Sequence, residues 1–218
     1  MYNSSFIISN IINRVRKPKV KFLRSVINEL PLNSKDALLS LTDKILLHEI
    51  SKNLPQHSIV AEIGTYLGGS ASIIANASPT AEIHTYDLFG YTIDHTIEKV
   101  SELVAMYPNI SLHKVEYLVE PDLDKMVNLL VEDASHRNPQ FSNSLDAWLP
   151  RVNVNGIVLI HDYRPWLQEY NPKYILDKSD YHKQYFPDVI RYVDQLAADS
   201  NWRFYGAVGS YAVFERTS

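Results

Sequence analysis

Apolar positions along this chain alternate between two patterns. Short, nearly continuous runs end in polar residues or glycine: Ser58–Ile63, Ala81–Asp87, Ile110–Val115, the head of Val127–His136, and Gly156–Ile160. Their length and β-branched content predict strands buried on both faces. Between them, apolar residues recur at helical spacing. One such stretch is Ser34–Asn53, with Asn33 or Ser34 as its cap and Pro55 beyond its end. Gly68–Ala77 is a second, and Asp94–Met106 a third, capped by Asp94 and turning Ile93, Ile97, Val100, Leu103 and Val104 inward. Asn138-Pro139 opens a fourth, carrying Phe141, Leu145, Trp148 and Leu149 inward, and Pro187–Ser200 is the last. Trp202–Val208 and Ser210–Glu215, parted by Gly209, predict a closing hairpin. The fold expected is α/β: a doubly wound, Rossmann-like, mostly parallel sheet of seven strands whose C-terminal hairpin supplies an antiparallel strand.

Within this frame, residues 1–53 are expected to form a basic arm and helices ahead of a Rossmann-like domain at 54–218. The arm combines an apolar cluster (Phe6, Ile7, Ile8, Ile11, Ile12, Val15) with Arg14, Arg16, Lys17, Lys19, Lys21 and Arg24. It reads as a helix packed on its own domain or on a twin subunit, hence as the surface for a homodimer. Contact with an anionic surface is the sharper alternative. Residues 164–186 fit neither helix nor strand and are crowded with Trp166, Tyr170, Tyr174, Tyr181, His182 and Tyr185, which suits a lid as well as a loop pinned by its rings.

Composition narrows the function classes. At 218 residues with 45% hydrophobic and 21% charged residues, the chain is an ordinary globular domain. Its formal charge of −4 gives no overall field to attract nucleic acid. No apolar stretch approaches the length of a membrane span, and the charges follow Phe6–Ile12 where a secretory signal would place them before. With no cysteine there are no disulfides, thiolate metal sites or cysteine nucleophile, which fits a cytoplasmic protein.

The stretch around which the chemistry is organised is Ile59–Ser70. Gly64 ends a strand where a ligand must pass close to the backbone, and Gly68 and Gly69 turn the chain into a helix whose free N–H groups face the same cavity. The spacing Gly64-x-x-x-Gly68-Gly69 is not the dinucleotide fingerprint, and no Gly-Lys-Ser/Thr follows for a nucleoside triphosphate. A nicotinamide oxidoreductase is therefore remote. Glu62 is placed to accept from an ammonium group. Asp87, 23 residues beyond Gly64, ends the neighbouring strand, and its two oxygens suit the hydroxyls of a ribose.

The string Glu62-Ile63-Gly64-Thr65-Tyr66-Leu67-Gly68-Gly69-Ser70 closely resembles the first motif of class I S-adenosylmethionine-dependent methyltransferases, in particular small O-methyltransferases of the catechol and macrolide-sugar types. A second stretch agrees. Asp133, His136, Asp146, Trp148, Gly156, His161, Asp162 and Tyr163 match a pattern of that branch, with Ala134, Ser135 and Asn155 as departures. The resemblance implies S-adenosyl-L-methionine as cofactor, with Glu62, Gly64, Thr65, Tyr66, Gly68, Gly69, Ser70, Asp87, Glu116 near the adenine, and Asp133 as the residues that bind it.

Methyl transfer needs an acceptor held in line, a route for its proton, and exclusion of water. His136 and His161 are the candidate bases, with His136 preferred, and Asp162 stands beside them. In metal-dependent relatives the acids at the positions of Asp133 and Asp162 help to bind a divalent cation such as magnesium. Here Tyr163 replaces the asparagine expected next, so the third ligand is missing or is His161, and a strict metal requirement is not expected. The function expected is O-methylation of a sugar or another small polyhydroxylated metabolite. The competing class is a non-catalytic binding module that keeps the fold.

Overall fold

A computed structural model describes residues 4–90, 92–93, 95–115, 123–163 and 186–218. The seven strands lie in one sheet in the order β3-β2-β1-β4-β5-β7-β6. They are β1 (Ile59–Ile63), β2 (Glu82–Asp87), β3 (Ile110–Lys114), β4 (Val127–Glu132), β5 (Val152–Ile160), β6 (Trp202–Val208) and β7 (Tyr211–Arg216). The first five are parallel, whereas β7 runs antiparallel to both β5 and β6. The expected architecture is therefore the one observed.

Alternate residues of the central strands explain why their sequences are apolar throughout. Val60, Leu129, Val131, Ile157, Leu159 and Val213 join one core, shared with α1 (Ser4–Arg16), α2 (Val20–Glu29), α3 (Leu41–Lys52) and α4 (Gly69–Ala77). Ala61, Ile63, Leu130, Val158, Ile160 and Phe214 join the other, under α6 (Gln140–Trp148) and α7 (Pro187–Ala197). Helix α5 (Ile97–Val104) follows β2 and packs beside β3.

The apolar face of α1 is taken up inside its own chain. Ile8, Ile11, Ile12 and Val15 are buried in the first core. At the start of the helix, Ser4, Ser5, Arg203 and Tyr205 surround the buried carboxylate of Glu215.

Several expected boundaries move, each for a local reason. In place of one helix from Ser34, a 3-10 turn covers Leu32–Asp36 and α3 starts at Leu41. Its cap is Ser40, which forms a reciprocal capping box with Asp43, rather than Asn33 or Ser34. The Asn33 amide instead donates to Ser72 Oγ at 2.6 Å, and Leu38, inside the expected helix, lies ahead of α3 and is 72% exposed. Helix α5 is shorter than the expected 94–106 and is capped by Thr96; Asp94 lies outside the described residues. Ile93 and Leu103 accordingly face outward. Helix α6 stops at Trp148, and Leu149 enters a 3-10 turn. Strand β5 begins four residues before the expected Gly156, at Val152.

Asn155, one of the three departures from the matched pattern, has φ 65°. Asparagine tolerates that left-handed conformation better than other non-glycine residues, so the substitution keeps the backbone. Asn155→Val should therefore lower stability by about 1–2 kcal/mol, and Asn155→Gly should change it far less. Urea unfolding of the two variants checks this.

Candidate active site

The parallel register continues one residue past the strands. The amide of Gly64 donates to Tyr86 O at 2.8 Å, that of Asp133 to Ile63 O at 2.8 Å, and that of His161 to Glu132 O at 2.9 Å. This row of hydrogen bonds sets Asp87, Gly64, Asp133 and His161 side by side along the carboxyl edge, where open α/β sheets bind ligands. A cavity of about 830 Å³ lies over that edge. Its wall includes Gly64, Thr65, Tyr66, Gly69, Ser70, Asp87, Asp133, His136, His161 and Asp162, so most of the expected site residues converge. Glu62 and Gly68 lie behind the wall. Glu116 and most of the expected lid at 164–186 lie outside the described residues; Phe186, at its end, meets the His136 ring edge-on at 4.7 Å.

The glycines serve the protein's own packing first. A Cβ on Gly64, where φ is +98°, would stand 2.3 Å from Asp133 O; one on Gly69 would stand 2.3 Å from Ala37 N. Gly64 thus lets β1 and β4 close together at their ends, a reason separate from the ligand approach expected. Gly69 admits residues 36–39, which form one wall of the cavity and were missed in the sequence because nothing in their pattern marks a site.

Asp87 gathers the loop. Its Oδ2 accepts the amides of Thr65 and Tyr66 and its Oδ1 that of Phe89, each at 2.9 Å, while His95 Nε2 lies 3.4 Å from Oδ1. The Thr65 side chain is buried and pairs with Thr85 Oγ1 at 2.6 Å, so it shapes the loop from behind. Thr85 also donates to Glu62 Oε2 at 2.6 Å. The other Glu62 oxygen is buried without a hydrogen-bond partner. Burial pushes the Glu62 carboxyl up to about 7 against the Ser70 and Thr85 hydroxyls. An orphaned buried acceptor behind a helix N-terminus, with a carboxylate at the adjacent strand end, fits a cofactor with an ammonium group and a ribose. Tyr66, Phe89 and Asp162 line the cavity with positive φ of 47°, 50° and 56°. Such strain is typical of ligand sites.

The second cluster stands on the ends of β4 and β5. His136 Nε2 is 3.1 Å from Asp162 Oδ2 and 3.8 Å from Asp133 Oδ1. His161 Nδ1 is 3.0 Å from Asp133 Oδ1, and its Nε2 is 3.7 Å from Asp43 Oδ2. Asp43, on α3, was not foreseen as part of the site. It is fully buried and accepts from Ser210 N at 2.7 Å and from Ser40 Oγ at 2.6 Å.

Electrostatics separates the two histidines. Burial disfavours a charge on His161, but Asp133, Asp43 and Asp162 outweigh it and raise its pKa well above the usual imidazole value. Burial likewise opposes ionisation of Asp133, and His161 and His136 outweigh it, so its pKa is lowered. His161 is thus an imidazolium held among carboxylates. That disfavours it as a base, whereas His136 faces the cavity 24% exposed.

Donor atoms of Asp133, His136 and Asp162 all lie within 4.8 Å of one another. That set of two carboxylates and one imidazole fits a divalent cation. The third donor is His136, in place of the His161 anticipated. Tyr163 points elsewhere, donating to Asp194 Oδ1 at 3.2 Å. Of the other matched residues, Asp146 accepts from Tyr192 Oη at 2.6 Å and Trp148 packs on Tyr86 at 5.0 Å, so both hold the scaffold.

Directly beneath, Glu132 is 2% exposed and accepts from Ser144 Oγ at 3.2 Å. Burial pushes its carboxyl up to about 8. A folded-state pKa above the unfolded one means that the protonated group contributes fully below its unfolded value, and that this stability is lost as pH rises through about 8. Glu132→Gln keeps the neutral shape. Its stability should gain on the wild type's as pH rises from about 5 to about 9, by at most about 1.4 kcal/mol per pH unit, and its melting temperature should pull ahead accordingly. Melting curves across that range check it; a gap that does not widen would contradict the assignment.

Comparison with known proteins agrees with this geometry. Residues 61–163, from β1 past the end of β5, match a family described as a methyltransferase domain. No curated protein matches the chain in sequence. Among solved structures, a provisionally assigned caffeoyl-CoA O-methyltransferase from Staphylococcus aureus is 18% identical with a TM-score of 0.61, over 98% of this chain and 99% of that one. TomG, an O-methyltransferase of tomaymycin synthesis from Streptomyces achromogenes in complex with S-adenosylmethionine, is 16% identical with a TM-score of 0.57, over 100% of both chains. MycE, a methyltransferase of the mycinamycin pathway in complex with Mg, S-adenosylhomocysteine and mycinamycin VI, is 15% identical with a TM-score of 0.54, over 96% of this chain and 54% of that one. At such identities the structural likeness is one of fold. Together with the domain match over residues 61–163, it gives this chain the fold of S-adenosylmethionine-dependent methyltransferases.

Proposed function

We propose that the protein methylates a hydroxyl of a small acceptor, a sugar or another polyhydroxylated metabolite, in a cytoplasmic setting. The observation that carries this reading is the His136–Asp162 contact of 3.1 Å, opening on the same cavity as the cofactor cradle. S-Adenosylmethionine supplies an activated methyl group when bound. The chain's part is to hold the acceptor oxygen in line, take its proton and keep water away. Asp162 orients the His136 ring by facing Nε2, so the other ring nitrogen is the one left to receive the proton. The carboxylate then stabilises the imidazolium formed. His161 keeps Asp133 ionised and fixed in the wall. A purely binding module would need neither the His136–Asp162 pair nor the Asp133–His161–Asp43 array beside it.

A divalent cation held by Asp133, His136 and Asp162 would lower the pKa of a hydroxyl bound to it. It would also occupy the ring assigned here as the base, so the two readings exclude each other. The presence of Mg in the MycE complex makes the distinction worth testing.

Screening hydroxylated acceptors with labelled cofactor should find methyl transfer to oxygen, and that transfer should survive a chelator. His136→Gln should then lower kcat by about 10²–10⁴-fold with little change in cofactor affinity. Activity lost to the chelator and restored by magnesium or manganese would make His136 a ligand and overturn its role as base. Near wild-type kcat in His136→Gln would do the same.

A further inference from the structure

The charge of this chain is divided unevenly. Six of its 21 Lys and Arg residues precede the first acid, Glu29, in a chain that is acidic overall. The structure shows which of the six are engaged. Arg14 lies 3.5 Å from Glu49 and over the Phe22 ring, and Arg16 donates to Tyr205 O and Ala207 O. Lys17, Lys19, Lys21 and Arg24 are exposed and have no partner among the described residues.

These four follow one another through the turn at Pro18 and along α2. That helix is unlike α1. Where α1 buries its apolar face, α2 buries only Val26 fully and leaves Val20 65% and Ile27 43% exposed. Val20, Arg24 and Ile27, at positions i, i+4 and i+7, form one outward stripe with Lys21 beside it. The opposite side packs Phe22 and Val26 on the core, and its acid, Glu29, is paired with Lys52.

We propose that this face of α2, with the Lys17–Lys19 turn, docks the protein on an anionic lipid bilayer. Clustered cations on an amphipathic helix are drawn to acidic headgroups, and aliphatic residues set among them enter the headgroup boundary. The interleaved Val20 and Ile27 separate this from a phosphate-tracking surface, where polar or aromatic side chains would be expected between the cations. An isologous pairing of two copies would set like charges face to face. The docked enzyme would meet acceptors carried at the membrane surface.

Co-sedimentation of the full chain with vesicles of phosphatidylcholine, with and without phosphatidylglycerol, tests the proposal. Binding is expected only with the anionic lipid, and it should weaken as salt is raised. Replacing Lys17, Lys21 and Arg24 by Glu should reduce partitioning by at least about fivefold per side chain, with an unchanged melting temperature because all three are exposed. Val20→Ser with Ile27→Ser should weaken the binding that remains at high salt. Equal sedimentation of wild type and the charge-reversed variant would overturn the proposal. So would absence of binding to either vesicle, or displacement from anionic vesicles by a short single-stranded RNA at equal charge concentration.

Discussion

The site depends on how closely β1 and β4 approach at their carboxyl ends. Their ladder runs on through Asp133 N to Ile63 O, and a Cβ at Gly64 would come within 2.3 Å of the Asp133 carbonyl. With that register in place, β2 brings Asp87 to one side of Gly64 and β5 brings His161 and Asp162 to the other. The candidate cofactor cradle and the His136–Asp162 cluster are thus two ends of one row. Because successive side chains alternate across a sheet, a slip of one residue in β1 or β4 would turn the row's side chains away from their partners.

Bringing so many polar groups to a buried edge is costly unless each is neutralised or paired. Two solutions are visible. Burial pushes the carboxyls of Glu62 and Glu132 up to about 7 and about 8, which eases the cost of keeping each one buried. Asp133 and Asp43 stay close to the imidazolium of His161, so charge alternates from α3 through β5 to β4. The raised Glu and His values favour the fold at lower pH, and the depressed Asp133 value favours it at higher pH. The hairpin turn takes part as well, since Ser210 donates its amide to Asp43 and Gly209 leaves room for that carboxylate. The site therefore extends beyond the segment that matches the methyltransferase family.

The sheet and half of the residues lining the cavity were legible in the sequence because parallel strands advertise themselves as apolar runs, and ligand groups follow at their ends. Asn155 shows that a departure from motif can preserve the backbone, since its φ of 65° is one asparagine accepts. What escaped the sequence was long-range. Asp43 reads as an ordinary helix residue, and its role appears only when Ser210, 167 positions away, is set against it. The start of α3 was misplaced for the same reason, as the capping box that holds Asp43 begins the helix at Ser40. The third donor beside Asp133 and Asp162 was sought next to Asp162 in sequence, where Tyr163 turns toward Asp194. Among the described residues, the side chain that folding brings beside the two acids comes from the β4 side, as His136.

The central claim is that the row of strand ends is a cofactor cradle with Asp87 at its organising position. Calorimetric titration of the folded protein with S-adenosylhomocysteine, in the wild type and in Asp87→Ala, tests it most directly. The account predicts saturable binding to the wild type. Removing the carboxylate takes away charge-assisted hydrogen bonds, typically worth about 1.5–3 kcal/mol, so the variant should bind at least tenfold more weakly. No binding by the folded wild type, or equal affinity in the two proteins, would contradict it.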